Sequence, residues 1–354
     1  MIIKINNKIY KPSSKTYFIA DIAANHDGSL KKAKELIRLA AESGANAAKF
    51  QNFRAETIVS DYGFKNLKNK LSHQSKWKGS VFNVYKKAEV PLNWTKELKE
   101  TCSKYNIDYF TAPYDLKMLP QLNKFVPAWK VGSGDITWHE NILSMAKTKK
   151  PILIATGASE LFEIKHILGK VLKINKQVVL MQCNTNYTAS DKNYDYINLN
   201  CLKSFKKNFP NVVLGLSDHT FGSETVLGAI SLGAKFIEKH FTDKNELDGP
   251  DHKFSMNPVT WSKMIESARK LERSMGSSHK KIEFNEKETA VLQRRSIRLS
   301  REMKRGEIIR KNDLVYLRPC PKNSLPPYKK DLILNKKINK NLKFHHPIQL
   351  KDVK

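Results

Sequence analysis

Residues 212–222, VVLGLSDHTFG, begin as an apolar run and turn polar at Ser217, Asp218 and His219. A short, nearly all-apolar run reads as a strand buried on both faces, the kind that builds parallel sheets. A hydroxyl, a carboxylate and an imidazole side by side at its end need a reason, because polar groups are costly to bury unless they are paired. Recurrence supplies it. Similar runs occur at YFIADI (17–22), AAKFQN (47–52), DYFTAP (108–113), WKVGSG (129–134), PILIAT (151–156), VVLMQC (178–183) and KFIEKHF (235–241). That makes eight strand candidates. Amphipathic stretches separate them. SLKKAKELIRLAAESGA (29–45) sets Ala33, Leu36, Ile37 and Ala40 at helical spacing, with Ser29 as N-cap and Gly44 as the stop. SETVLGAISLGA (223–234) repeats the design, and NPVTWSKMIESARKLERSMG (257–276) follows the last strand. Residues 53–106 exceed what one βα unit needs, and Pro91 and Trp94 open the main helix of that connection. Eight strand–helix alternations predict an α/β fold, a (β/α)8 TIM barrel with its active site at the carboxyl ends of the strands.

Polar residues gather where those ends fall: Asp21, Asn25 and His26; Lys49 and Gln51; Thr111; Lys130, Ser133 and Asp135; Thr156; Asn184, Asn186 and Tyr187; Ser217, Asp218 and His219; Glu238, Lys239 and His240. His219 and His240 end adjacent strands, so two imidazoles meet at one point. With water and a substrate oxygen they suit a divalent ion, Mn²⁺ first and Mg²⁺ or Co²⁺ as alternatives; the other reading is a pair of hydrogen-bonded residues at the barrel mouth. His26 and His252 stay outside the metal set. Lys49 and Lys130 sit within apolar runs, which an anion or carboxylate must compensate. With Ser133, Ser217 and Thr111 they describe a cradle for phosphate and carboxylate. Two alternatives are a Lys–Asp pair closing the mouth and a Schiff-base lysine. Asp21, Asp135 and Asp251 are candidate acids and bases, or structural ion-pair partners.

The 354 residues allow one large core and a smaller second one. A formal charge of +29 comes from lysines spread along the whole chain without interleaved aromatics, so a solvated basic surface, or a field attracting anionic substrates, is expected and nucleic-acid binding is not. No run approaches the roughly 18 apolar residues of a membrane span. The start, MIIKINNKIYKPSSKTYF, is neither signal nor transit peptide, so a cytoplasmic location is expected. The four cysteines form no C-x-x-C pair and read as reduced thiols. After about residue 280 the texture changes. REMKRGEII has a near echo in KINKNLKFHHPIQ, each followed by KNDL or KDV, which predicts a small β-rich domain over 281–354 after a barrel domain over 1–280.

FIADIAANHDGSLKKAKELI, GANAAKFQNF, YFTAPYD, KVGSGD, LGLSDHT, GAKFIEKHFT, GPDHKFSM and RRSIRLSREMKRGEII resemble, in order and spacing, the N-acetylneuraminate (sialic acid) synthase family, and the tail resembles its antifreeze-protein-like (SAF) domain. The resemblance implies that phosphoenolpyruvate condenses with an N-acyl hexose such as N-acetylmannosamine, or a modified bacterial relative, to a nine-carbon 2-keto acid and phosphate. It assigns the metal to His219 and His240, phosphoenolpyruvate to Lys49, Thr111, Lys130, Ser133 and Ser217, and the sugar to Gln51, Tyr187 and Asp251. It implies a homodimer in which Arg318 reaches the partner's barrel. Where the family has Glu, this chain has Asp21 and Asp135, each shorter by about one carbon–carbon bond, ~1.5 Å. Its usual Tyr-Pro-Thr stretch is NYTAS, which leaves the ligand-binding amide to Asn184 or Asn186, a frequent Ser is Ala155, and the SAF Arg-Pro-Gly is Arg-Pro-Cys. These departures cluster where a sugar is read and imply a different acceptor. A Schiff-base aldolase and a non-catalytic sugar or anion binder remain the competing functions.

Overall fold

The computed structural model describes residues 2–67, 74 and 77–354. It divides into two compact units, one ending at Gly276 and the other running Ser277–Lys354, four residues before the boundary read from sequence texture. A short hairpin, β1 (Ile3–Ile5) and β2 (Lys8–Tyr10), precedes the barrel. The eight barrel strands follow as β3 (Tyr17–Asp21), β4 (Ala47–Asn52), β5 (Asp108–Pro113), β6 (Trp129–Val131), β7 (Ile152–Ala155), β8 (Val178–Cys183), β9 (Val213–Asp218) and β10 (Phe236–His240). They are all parallel, and β10 pairs with β3 to close the barrel. Each strand falls within or beside one of the eight runs. Helices α1 (Leu30–Glu42), α2 (Ala55–Ile58), α3 (Asp61–Asn66), α4 (Val81–Lys87), α5 (Thr95–Lys104), α6 (Leu119–Asn123), α7 (His139–Lys147), α8 (Leu161–Ile174), α9 (Cys201–Asn208), α10 (Glu224–Ser231) and α11 (Pro258–Ser274) lie in the connections and after the last strand.

Local chemistry explains these boundaries. The Ser29 hydroxyl accepts from the Lys32 N–H at α1's start, and Gly44, at φ +92°, takes the left-handed conformation that ends it. Along the strands the period is two. Tyr17, Ile19, Ala47, Phe110, Leu153, Val179, Met181, Val213 and Phe236 fill the barrel interior together with Ile3 and Ile5 of the hairpin. The alternating set, including Phe18, Ala48, Phe50, Tyr109, Ile152, Ile154, Leu180 and Ile237, packs against the helices. Both faces are therefore apolar and buried, which is why each strand reads as a continuous run. Among the described residues no helix is long and apolar enough to cross a membrane.

The second unit contains α12 (Lys287–Leu292) and an antiparallel pair, β11 (Ser296–Leu299) with β12 (Leu314–Leu317). Ile297, Leu299, Met303, Ile309, Leu325, Ile333, Ile338, Leu342 and Ile348 form its own core. The two halves of the sequence echo bond to each other: Met303 and Leu342 exchange backbone hydrogen bonds. Each half ends in the same 3-10 turn, where the Asp313 and Asp352 carboxylates accept from the Arg310 and Gln349 N–H groups.

Candidate active site

Strand register brings the titratable residues together. Asp21 lies opposite both Lys49 on β4 and His240 on β10, and Ser217 on β9 lies opposite Glu238. All five project from the inward-facing series at the carboxyl ends, above the apolar fill. A cavity of about 340 Å³ opens there, and eleven of the thirteen residues expected at the site line it: Asp21, Lys49, Gln51, Lys130, Ser133, Asp135, Tyr187, Ser217, His219, His240 and Asp251.

Lys49 Nζ is 2.6 Å from Asp21 Oδ2 and 3.7 Å from Glu238 Oε1, while Lys130 Nζ is 3.3 Å from that same Glu238 oxygen. Both lysines are almost wholly buried. Burial pulls on the Lys49 ammonium, yet Asp21 and Glu238 outweigh it and hold its pKa above the usual lysine value. Ser217 Oγ donates to Glu238 Oε1 at 3.1 Å, and Ser133 Oγ accepts the Gly157 N–H at 3.0 Å. Gly157 permits that approach, since a Cβ there would meet the Thr185 hydroxyl at 1.8 Å. Asp21 also accepts from the Gln51 amide and the Ala23 N–H, both at 3.1 Å. Asp135 ends the 3-10 turn Ser133–Asp135, and burial pushes its carboxyl up to about 6. Asp251 accepts the Ala24 N–H, and burial, with Asp21 adding to it, pushes it to about 6 as well.

The His219 and His240 ring centroids are 5.3 Å apart, and Tyr187 and Phe254 pack beside them. His219 Nδ1 donates to the Asn184 carbonyl at 2.9 Å, which leaves Nε2 as the ring's acceptor nitrogen. His240 Nδ1 is buried, has no hydrogen-bond partner among the described residues, and lies 3.8 Å from Asp251 Oδ2. Burial, then His219, pulls His240 well below the usual histidine value. Among the described residues no three His, Cys, Asp or Glu side chains are arranged to hold a metal by themselves. His252 is bonded to Thr242 and Asp27, and His26 accepts the Gly28 N–H; neither lines the cavity.

One expected residue is corrected. Thr111 shares the outward series with Tyr109, and its hydroxyl donates to Asn52 Oδ1 at 2.6 Å, facing the helix layer. The inward position at that strand end is Ala112, which offers no hydroxyl. Arg318 lies exposed after β12 in the second unit. Neither Asn184 nor Asn186 lines the cavity; Thr185 does. Glu238, passed over in the assignment of roles, is the hub of the lysine cluster. Its signal was a carboxylate two residues before His240 inside an apolar run. The β4–α5 connection adds a mostly apolar lining of Phe53, Ile58, Trp77, Val84, Tyr85 and Ala88, with Gln74 among them.

A closed eight-stranded parallel barrel whose titratable side chains gather at the carboxyl ends of its strands has the architecture of the (β/α)8 enzymes. The chain belongs to the NeuB family, whose model matches residues 36–280, and an SAF domain follows at 294–354. It is 33% identical to the N,N'-diacetyllegionaminic acid synthase of Campylobacter jejuni over 93% of this chain and 97% of that one. It is 34% identical to the N,N'-diacetyllegionaminic acid synthase of Legionella pneumophila, over 96% of this chain and 95% of that one. The crystal structure of the N-acetylneuraminic acid (sialic acid) synthetase of Leptospira borgpetersenii in complex with citrate matches with a TM-score of 0.69 at 27% identity, covering 82% of this chain and 95% of that one. Its named relatives are synthases of nonulosonic acids, which makes this barrel an enzyme's.

Proposed function

We propose that the protein condenses phosphoenolpyruvate with an N-acyl hexose, N-acetylmannosamine or a modified bacterial relative, to give a nonulosonic acid and inorganic phosphate. The observation that carries the reading is one cavity in which two buried lysines and two serines meet two imidazoles and a set of carboxylates. Lys49, Lys130, Ser133 and Ser217 hold the carboxylate and phosphate of phosphoenolpyruvate. Gln51, Tyr187 and Asp251 orient the sugar, and the apolar wall of Phe53, Ile58, Val84, Tyr85 and Ala88 accommodates its acyl methyl group. In a homodimer, Arg318 contacts the sugar bound by the partner subunit.

The methylene carbon of the enol attacks the sugar aldehyde, so one carbon–carbon bond forms and the aldehyde oxygen takes up a proton. Positive charge develops at the enol carbon bearing phosphate, where Asp21 and Asp135 stabilise it. Water adds to that carbon and gives a proton to Asp135, whose raised pKa suits a base working near neutral pH. The carbon–oxygen bond to phosphate then breaks as the new hydroxyl passes its proton to the leaving group, giving the 2-keto acid, and the lysines receive the departing hydrogen phosphate dianion. The orphaned Nδ1 of His240 and the spacing of the two rings fit a divalent ion held by His219 and His240, Mn²⁺ first and Mg²⁺ or Co²⁺ as alternatives. When bound, such an ion would polarise the aldehyde. A Schiff-base reading is disfavoured at Lys49, because an amine kept charged by Asp21 and Glu238 is no nucleophile.

The test is phosphate release from phosphoenolpyruvate by metal-stripped protein against a panel of N-acyl hexoses, with and without Mn²⁺. Release requiring both the metal and one sugar is the expected result. Chelator-insensitive turnover with borohydride trapping of pyruvate would replace this reading with the aldolase.

A further inference from the structure

Glu238 occupies the position in which an anionic ligand is expected. Its Oε1 accepts from Ser217 Oγ at 3.1 Å and sits 3.3 Å from Lys130 Nζ and 3.7 Å from Lys49 Nζ. Its Oε2 is buried without a hydrogen-bond partner among the described residues. Asp21 closes the far side of Lys49 at 2.6 Å. Two ammonium groups and two carboxylates therefore sum to zero, and the cradle has no spare positive charge of its own. An unpaired buried lysine costs several kcal/mol, so a resident counter-anion compensates Lys49 and Lys130 and holds them in place while the site waits. The same carboxylate opposes any anion that takes over its donors.

We propose that Glu238 is a positioning residue that stands in for the ligand's anionic group on Lys130 and Ser217, and that its charge keeps phosphate weakly held so that the product leaves. This rests on the reading of Lys49, Lys130, Ser133 and Ser217 as an anion cradle. Binding ground state and product too tightly lowers turnover without helping the chemical step. A fixed like charge beside the departing phosphate is a direct way to avoid that, because like-charge juxtaposition in a buried site is strongly unfavourable. Glu238 thus has two effects of opposite sign: it orders the lysines before binding, and it limits how firmly they grip afterwards. A merely structural carboxylate has only the first.

The experiment measures inorganic phosphate binding to the full chain by calorimetry near neutral pH, for the wild type and for Glu238→Gln. The amide keeps the shape and an acceptor for Ser217 but removes the charge. Phosphate is expected to bind roughly tenfold more tightly to the variant, and in turnover both kcat and the KM for phosphoenolpyruvate fall. A gain in affinity cannot come from a damaged site. Unchanged or weaker phosphate binding in the folded variant overturns the proposal and leaves the cradle standing. Phosphate binding to neither protein overturns both this proposal and the anion cradle. Should Glu238→Gln not fold, Glu238→Asp decides, since its carboxylate is withdrawn by one bond length: phosphate affinity above wild type supports the proposal, and affinity at or below wild type overturns it.

Discussion

The barrel wall holds two buried Lys–Asp pairs, one on each of its faces. Outside, Lys239 Nζ is 2.5 Å from Asp218 Oδ2; inside, Lys49 Nζ is 2.6 Å from Asp21 Oδ2. The outer pair is saturated. Asp218 also accepts from the Thr220 N–H and from the hydroxyls of Thr220 and Thr225, while Lys239 also donates to the Thr220 carbonyl at 2.7 Å. The attraction of Lys239 there outweighs burial and holds the Asp218 carboxyl below its usual range. The inner pair has neighbours without hydrogen-bond partners among the described residues, Glu238 Oε2 and His240 Nδ1, beside an open cavity. The same two residue types serve different ends on the two faces. A closed network ties β9, β10 and α10 together, whereas the open one retains hydrogen-bonding capacity for a ligand.

The largest effect should come from opening the inner network. Lys130→Gln is expected to lower phosphate release from phosphoenolpyruvate by about 10²–10³-fold per folded molecule, the scale for loss of one preorganised charge-stabilising donor. Activity within a few-fold of wild type would erase the distinction between the two faces. Breaking the outer pair should do the reverse: Lys239→Met leaves Asp218 charged and buried, costs about 3–5 kcal/mol in a denaturant titration, and leaves kcat of the folded fraction unchanged. A pH profile sharpens the inner side further. Burial raises Asp135 to about 6, and a base acts only when ionised, so kcat should hold above that pH and fall about tenfold per unit below it. Asp135→Asn should remove that limb along with most of the rate. The smallest effect concerns the outward series. Thr111→Val loses the bond to Asn52 and about 1 kcal/mol of stability, with the KM for phosphoenolpyruvate unmoved; a rise in that KM would return Thr111 to the site.

How much of this was legible in the sequence follows from burial. Parallel strands buried on both faces read as unbroken apolar runs, so all eight could be found, and their polar ends gather on one rim. The same double burial hid which face each residue takes. Where one side of a strand meets water, alternation reveals the parity, but DYFTAP and KFIEKHF show no such contrast. Thr111 was therefore placed in the cradle although it lies one position out of phase, and Glu238 was overlooked although its parity matches that of His240. Closure and register decide those questions, and both are long-range. In the second unit the echo was legible because short turn motifs are local. Its pairing across the Met303–Leu342 contact was not.

Most of the apolar lining of the cavity comes from the connection between β4 and α5, while most of the polar groups stand on strand ends and the turns that follow them. A strand-end residue cannot change without meeting its neighbours around a closed ring, whereas in that connection Phe53 and Tyr85 pack on each other and Phe53 also meets Tyr114. Changes at Phe53, Ile58, Val84, Tyr85 or Ala88 would therefore reshape the apolar lining of the cavity while the charged cluster on the strand ends keeps its partners. Exchanging that connection between relatives, with the strand ends kept, would show whether the two sets of cavity residues vary independently.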